Sequence, residues 1–527
     1  MAVWRTLAHN GIAFPDPYIP RGLSVRVSGQ EIKLSPLAEE MAYLFAKKKD
    51  TPYVQDQVFV ANFMKYFVKE LPPSVPKQAK FQDFDFSQFY RLVDEEKKDK
   101  ETMTKEAKKS LAASRKEKRE NLRDDYGKAT LDGKEIEIAN WMAEPPGLFL
   151  GRGAHPLRGS WKPRVSPSDV TLNLGEDAPK PPGDWGGVVH DHESIWIARW
   201  IDKLTEKEKY VWPHESSDIQ QSRNKEKYDK AMKIGQRLQP LRATILRKMD
   251  AKDAGEKKLA TVSYLIDNMG IRVGDEKDED EADTVGATTL RVEHIKIAER
   301  LIQFDFLGKD SVRWLKDLPN PEPALVRNLQ RFTSGKKPDD QIFDGVTSSM
   351  VNRFLSGIVP ELSAKVFRTY HATRITEDSL KSKDVRKTDD LEKLYFAKEA
   401  NLAAAIYCNH KRTIPKTWEA SLEKKKQKLA EYKAAGKAER VKKLEMDIDL
   451  TERTKEYNLN TSMKNYIDPR SYKAWGDYVG LDWTKLYSKS LQRKFSWVAQ
   501  SKRTWQEPKP ADGAPVPKIE AVDPTPR

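Results

Sequence analysis

Between Leu23 and Val27 the chain alternates apolar and polar residues, the two-residue period of a strand with one buried face. A helix start follows. Ser35 stands at an N-cap position, and Pro36 stands where the first helical residue loses nothing by lacking an N–H. From Asp94 to Asp125 Lys and Glu interleave, with Leu111 and Leu122 as sparse apolar points, which predicts solvated helix with little core. Such helices lie on a surface or project over a duplex, and both readings stay open. Residues 139–221 are crowded with Trp, Gly and Pro, predicting short strands and tight turns. Residues 222–413 read as mostly helical, interrupted by two alternating runs, Thr289–Ile295 and Leu301–Phe306, that predict a hairpin. Leu422, Leu429 and Tyr432, then Val441, Leu444 and Ile448, form narrow stripes on either side of Ala434-Ala435-Gly436. They predict two antiparallel helices, an arm that packs mainly on itself. Globular patterning resumes at 457–505, and the Pro- and Ala-rich tail from Glu507 reads as disordered.

At 527 residues the chain is too long for one ordinary core. Its net charge of +14 points to a polyanionic partner, most simply nucleic acid. The single cysteine, Cys408, rules out an internal disulfide and fits a reducing compartment. No apolar run reaches bilayer length and the start lacks a signal-peptide core, so a soluble intracellular protein without a membrane partner is expected.

Five chemically able residues then stand out, in the order Arg, Lys, Arg, His, Tyr. Arg272 lies in Ile271-Arg272-Val273-Gly274 and Lys309 in Phe306-Leu307-Gly308-Lys309-Asp310-Ser311. Arg368 lies in Lys365-Val366-Phe367-Arg368-Thr369-Tyr370, His410 in Cys408-Asn409-His410-Lys411-Arg412, and Tyr466 in Ser462-Met463-Lys464-Asn465-Tyr466. Two arginines can grip the non-bridging oxygens of a phosphodiester, and the grip strengthens as charge builds in a five-coordinate transition state. His410 can add a hydrogen bond, and Lys309, in a turn directly after a predicted strand, can protonate a leaving oxygen. Tyr466 can attack and store the bond energy as a phosphotyrosine. Singly each signal is weak; only the ordered set is specific. The other constellations carry less. Asp278-Glu279-Asp280 and Asp447-Ile448-Asp449 could hold a divalent cation but read as solvated surface, and His190 and His192 share a strand face without a third ligand. Cys408 and His410 read as two positions on one helix, pointing apart.

These strings resemble the eukaryotic-type DNA topoisomerase IB family, over nearly the whole chain. Leu34–Glu40, Glu144–Phe149 and Ala282–Gly286 are similar to segments of that family's core as well. The resemblance implies a catalytic pentad of Arg272, Lys309, Arg368, His410 and Tyr466, with Arg152, Asp310 and Asn465 meeting DNA near the cut. It implies no ATP, metal or other cofactor, and a monomer acting on double-stranded DNA, chromosome-associated inside the cell. The implied fold is a multidomain α+β protein, a bilobed DNA clamp with a mainly helical, tyrosine-recombinase-like core. Its segments would be a mixed lobe at 1–93, a charged helical stretch of the same jaw at 94–138 and a β-rich subdomain at 139–217. The catalytic core would follow at 218–413, a coiled-coil linker at 414–456, the Tyr466 piece at 457–506 and a disordered tail at 507–527. The chain departs from the family in lacking a long basic N-terminal extension, in reading Ser-Met-Lys-Asn-Tyr for Ser-Lys-Leu-Asn-Tyr, in its short linker, and in carrying His371 for asparagine. The missing extension leaves nuclear import open and suggests an archaeal or other compact relative, with the nucleoid as the alternative location. A tyrosine recombinase would use the same five groups, and a non-catalytic DNA-binding protein would use the same charge.

Overall fold

Ser35 does cap the helix Pro36–Ala46: its hydroxyl accepts from the Ala38 N–H at 3.1 Å. In this computed structural model, residues 2–275, 283–298 and 300–506 are described. The Asp278-Glu279-Asp280 string and the tail from Glu507, expected to be disordered, lie outside them. Helix makes up about 51% of a mixed α/β chain. The residues divide by packing near Gln220 into an N-terminal and a C-terminal unit.

The N-terminal unit holds two cores. One is aromatic, built where the helices Pro36–Ala46 and Gln57–Phe67 bring Phe45 and Phe63 to a ring separation of 4.1 Å. The other gathers Trp4, Leu7, Ala129, Trp141 and Leu172. The strand Leu7–His9 pairs with Lys128–Leu131, so residue 93 is no boundary between packing units: the first strand completes a sheet whose other strands lie beyond it. The charged stretch forms the helices Ser87–Thr102 and Lys105–Tyr126, and none of the second helix is buried.

In the C-terminal unit the β element differs from the expected hairpin. The run Thr289–Ile295 is not a strand. Arg291 pairs with both Asp283 and Glu293, and its own N–H donates to His294 Nδ1 at 3.0 Å, which winds Val292–His294 into a short turn. The first strand is Ile295–Ala298, and a third, Val312–Pro319, pairs along the whole of Leu301–Gly308. The tip between them is tight, with Asp310 at φ 67 and Ser311 at φ 56. Lys309 therefore sits at the end of a longer hairpin than the pattern shows.

The arm is two helices, Trp418–Ala434 and Ala438–Arg453, turning at Gly436 with φ 63. Leu422 and Ile448 are buried in its seam, and Lys425–Asp447 and Lys433–Glu445 tie its flanks at 2.8 Å each. It does not pack on itself alone. The helix Asp390–Tyr407 offers it an acidic face: Lys442 reaches Asp389 at 2.7 Å and Glu392 at 2.9 Å, and Arg453 pairs with Glu399. No helix among the described residues is long and apolar enough to cross a membrane.

Candidate active site

The helix Ala254–Met269 ends at Gly270, which adopts φ 66. A Cβ there would stand 2.9 Å from the Tyr407 ring, so the left-handed turn and the close approach both require glycine. The turn delivers Arg272 to a cavity of about 110 Å³ and leaves the Gly270 carbonyl facing Arg368. Arg368, on the helix Ala364–Lys381, is 4% exposed. One terminal nitrogen donates to the Gly270 carbonyl and the other to the Cys408 carbonyl at 2.8 Å. Its Nε is buried without a hydrogen-bond partner among the described residues.

Cys408 and His410 are not on one helix. Cys408 caps Asp390–Tyr407, Asn409 turns left-handed at φ 52, and His410 leaves the helix. Both line the same cavity, with no hydrogen bond between them among the described residues. Burial pushes the Cys408 thiol up, which makes it a poor nucleophile. His410 Nδ1 lies 2.9 Å from Ser462 Oγ, and its Nε2 is buried without a hydrogen-bond partner among the described residues. Burial first, then the Arg368, Arg272 and Lys316 cations, push His410 down to about 3, so the imidazole is neutral near pH 7. If Ser462 donates to Nδ1, the free Nε2 carries the proton and can donate to an anion.

Tyr466 caps the helix Leu459–Asn465 and is 5% exposed. Its ring centroid lies 5.2 Å from the Arg368 guanidinium carbon and 5.1 Å from the His410 ring. The Thr373 hydroxyl holds its carbonyl at 3.2 Å, and Lys227 holds the Asn465 carbonyl at 3.0 Å. Lys309 and Asp310, at the hairpin tip, complete the cavity wall. Four of the five expected catalytic residues thus surround one cavity, and the fifth packs its ring against two of them. Asn465 lies beside Tyr466 but not on the wall, its side chain donating to the Thr461 carbonyl at 3.2 Å. Arg152 is in the N-terminal unit, on an exposed loop between Gly151 at φ 64 and Gly153 at φ 59.

Sequence reasoning did not assign Ser462, which orients His410, although it lies in the quoted string around Tyr466. It also passed over the backbone carbonyls of Gly270 and Cys408, which no side-chain pattern can show. His371 finds a use. Its Nε2 lies 2.7 Å from Asp267 Oδ1, and Arg242 reaches the other oxygen at 2.6 Å, a buried bridge between the helices that carry Arg368 and lead to Arg272. The metal candidates resolve otherwise. Asp447 pairs with Lys425, and Asp449 accepts from Tyr395. His190 bonds the Leu174 carbonyl at 2.7 Å, and His192 bonds the Trp4 carbonyl and Glu176.

Comparison with known proteins finds matches along nearly the whole chain. Residues 2–213 match the family model described as eukaryotic DNA topoisomerase I, DNA binding fragment, and residues 216–443 match its catalytic core. Residues 438–507 match a C-terminal topoisomerase domain. DNA topoisomerase 1 beta of Arabidopsis thaliana is 36% identical over 541 residues, covering 94% of this chain and 58% of that protein. DNA topoisomerase 1 of Homo sapiens is 34% identical over 547 residues, covering 94% and 70%, and that of Candidozyma auris 36% over 463, covering 85% and 60%. The chain thus spans less than two thirds of the length of the plant relative and more than two thirds of the human one. The chain belongs to the eukaryotic DNA topoisomerase I family.

Proposed function

We propose that the protein is a type IB DNA topoisomerase that nicks one strand of duplex DNA, lets it rotate and reseals it. The observation that carries this reading is the packing of the Tyr466 ring against the Arg368 guanidinium and, tilted by 32°, against the His410 ring, beside a cavity where Arg368 Nε and His410 Nε2 are buried without hydrogen-bond partners among the described residues. Unpaired buried donors are costly unless a ligand satisfies them. A phosphodiester fits, because its non-bridging oxygens accept from all of these groups at once. In the proposed step Tyr466 Oη attacks phosphorus and its proton passes to solvent. The bond to the 5′-oxygen breaks, and the Lys309 ammonium protonates that oxygen. A 3′-phosphotyrosine holds the strand while the free end turns, and the reverse step restores both bonds. Arg272, Arg368 and His410 meet the charge as it grows. Both supercoil signs are relaxed without ATP, since the bond energy is conserved.

The finer arrangement belongs to the same proposal. The two units act as jaws of a clamp on double-stranded DNA, with a recombinase-like core, the 414–456 arm as linker and the 457–506 piece supplying the nucleophile. Arg152, Asp310 and Asn465 steer the strand near the cut, and the protein works as a monomer on chromosomal DNA. The test is relaxation of a supercoiled plasmid, carrying no recombination site, in EDTA without ATP. The wild-type chain should relax it, while Tyr466→Phe should bind duplex yet leave it supercoiled. Relaxation by the Phe variant would remove Tyr466 as nucleophile, and no relaxation by wild type would sink the activity.

A further inference from the structure

The strand Val312–Pro319 turns Trp314, Lys316 and Leu318 inward, at 5%, 4% and 5% exposure. A lysine therefore occupies a core position between two apolar side chains. Its Nζ donates to the Tyr407 carbonyl at 2.6 Å, in the last turn of the helix that leads into His410. It lies 4.9 Å from the Trp314 ring centroid and 5.5 Å from that of Tyr407. No carboxylate pairs with it among the described residues. The acids nearest along the sheet are engaged elsewhere: Asp305 with Arg313 at 2.8 Å and Asp317 with Gln303 at 3.1 Å. The titratable groups that face it are Cys408, Arg368, Lys411, His410 and Tyr407, of which Arg368 and Lys411 are cations.

A buried ammonium is ordinarily paired with an anion. Here a helix-end carbonyl and two ring faces offset some of its cost, while two cations add to it. Trp314, Arg368, Cys408 and Lys411 all line the cavity, so Lys316 stands one residue layer behind its wall. We propose that Lys316 is a positioning residue whose counter-ion is the phosphodiester in that cavity, so that DNA binding draws a proton onto Lys316. This rests on the phosphodiester reading given above. The same ammonium fastens the strand that follows Lys309 to the segment that carries His410, so proton uptake also tightens the pocket.

In the free protein burial, with Arg368 and Lys411 adding to it against Cys408, pushes Lys316 down to about 7. A phosphate nearby favours the charged form and lifts it again. At pH 8 most free chains then hold Lys316 neutral and most bound chains hold it charged, so binding takes up a proton and weakens as pH rises. His410 does not mimic this, because it would have to climb from about 3 past 8 to take up a proton there.

The test uses the full chain carrying Tyr466→Phe, titrated with a short duplex by calorimetry at pH 8 in buffers of different ionisation enthalpy. Lys316 is compared with Lys316→Gln, which keeps an N–H for the Tyr407 carbonyl, and with Lys316→Met. The Lys316 chain should take up close to one proton more than either variant, and its affinity should fall by roughly tenfold per pH unit above 8. Equal uptake by a folded Lys316→Gln chain overturns the proposal. So does an affinity of the Lys316 chain that stays flat between pH 7 and 9, a result that needs no variant to fold. Failure of the Lys316 chain to bind duplex at any pH sinks the phosphodiester reading as well, and is distinct from binding with unchanged proton uptake.

Discussion

Ser462 and His410 show how much of the site hangs on one hydroxyl. The imidazole is neutral, so its value to a phosphate depends on which nitrogen bears the proton, and Ser462 at 2.9 Å from Nδ1 is the group that can fix it. Ser462→Ala should slow single-turnover cleavage by roughly fivefold, the scale of one neutral hydrogen bond of ~1 kcal/mol. Arg368→Ala should cost roughly 10²–10³. Equal rates for wild type and Ser462→Ala would mean that the hydroxyl does not set the tautomer. The five side chains proposed to react could be picked out of the sequence because each sits in its own distinctive string, and they lie together at one cavity. Their supports could not: the Gly270 and Cys408 carbonyls that hold Arg368 are backbone atoms, common to every residue.

Among elements, the hairpin and the arm were read with different success, for different reasons. The apolar period of Leu301–Phe306 marked one strand, but Val312–Pro319 carries Lys316 at an inward position, and the charge hid the alternation. The long hairpin presents Lys309 exposed at its tip, as a proton donor to a leaving oxygen requires. Lys309→Ala should therefore slow cleavage of an ordinary strand, and a 5′-bridging phosphorothiolate, whose sulfur leaves unprotonated, should restore the rate. Equal slowing on both substrates would leave Lys309 a phosphate contact only. The arm was legible from its stripe, yet its docking was not, because the acidic face of Asp390–Tyr407 reads as solvated charge until a partner is placed on it. Replacing 416–456 by a short bridge should spare single-turnover cleavage on a short duplex, since the arm holds none of the five residues. It should shift plasmid relaxation to lower salt by removing lysines that would lie near DNA. Loss of cleavage in a folded deletion would show that the arm, through Asp389, Glu392 and Glu399, positions the helix that leads into His410.

For the whole molecule, charge argues for the partner while buried neutral groups set the pH range of the fold. The +14 surplus is visible in composition. That burial pushes three of the eight histidines down, His9, His294 and His410, the first and last of them furthest, is visible only once they are packed. His9 Nε2 lies 2.9 Å from the Asn173 carbonyl while the Gly11 N–H donates to Nδ1 at 3.0 Å, so both ring nitrogens are engaged in the neutral form. Burial pushes His9 down to about 4 against that carbonyl, and His410 down to about 3. The sign follows from proton counts. Between the unfolded value near 6.5 and these folded values the unfolded chain binds more protons, so stability falls as pH drops through that window. Each site contributes at most about 1.4 kcal/mol per pH unit there, or about 2 kcal/mol by pH 5. Calorimetric melts at pH 7, 6 and 5 should show midpoints falling with pH. His9→Gln should flatten the fall for the N-terminal unit and His410→Gln for the C-terminal unit, because each lies in a different one. Midpoints that fall equally in wild type and both variants would assign the acid sensitivity to other groups, such as the paired carboxylates, and would remove the buried histidines as its cause.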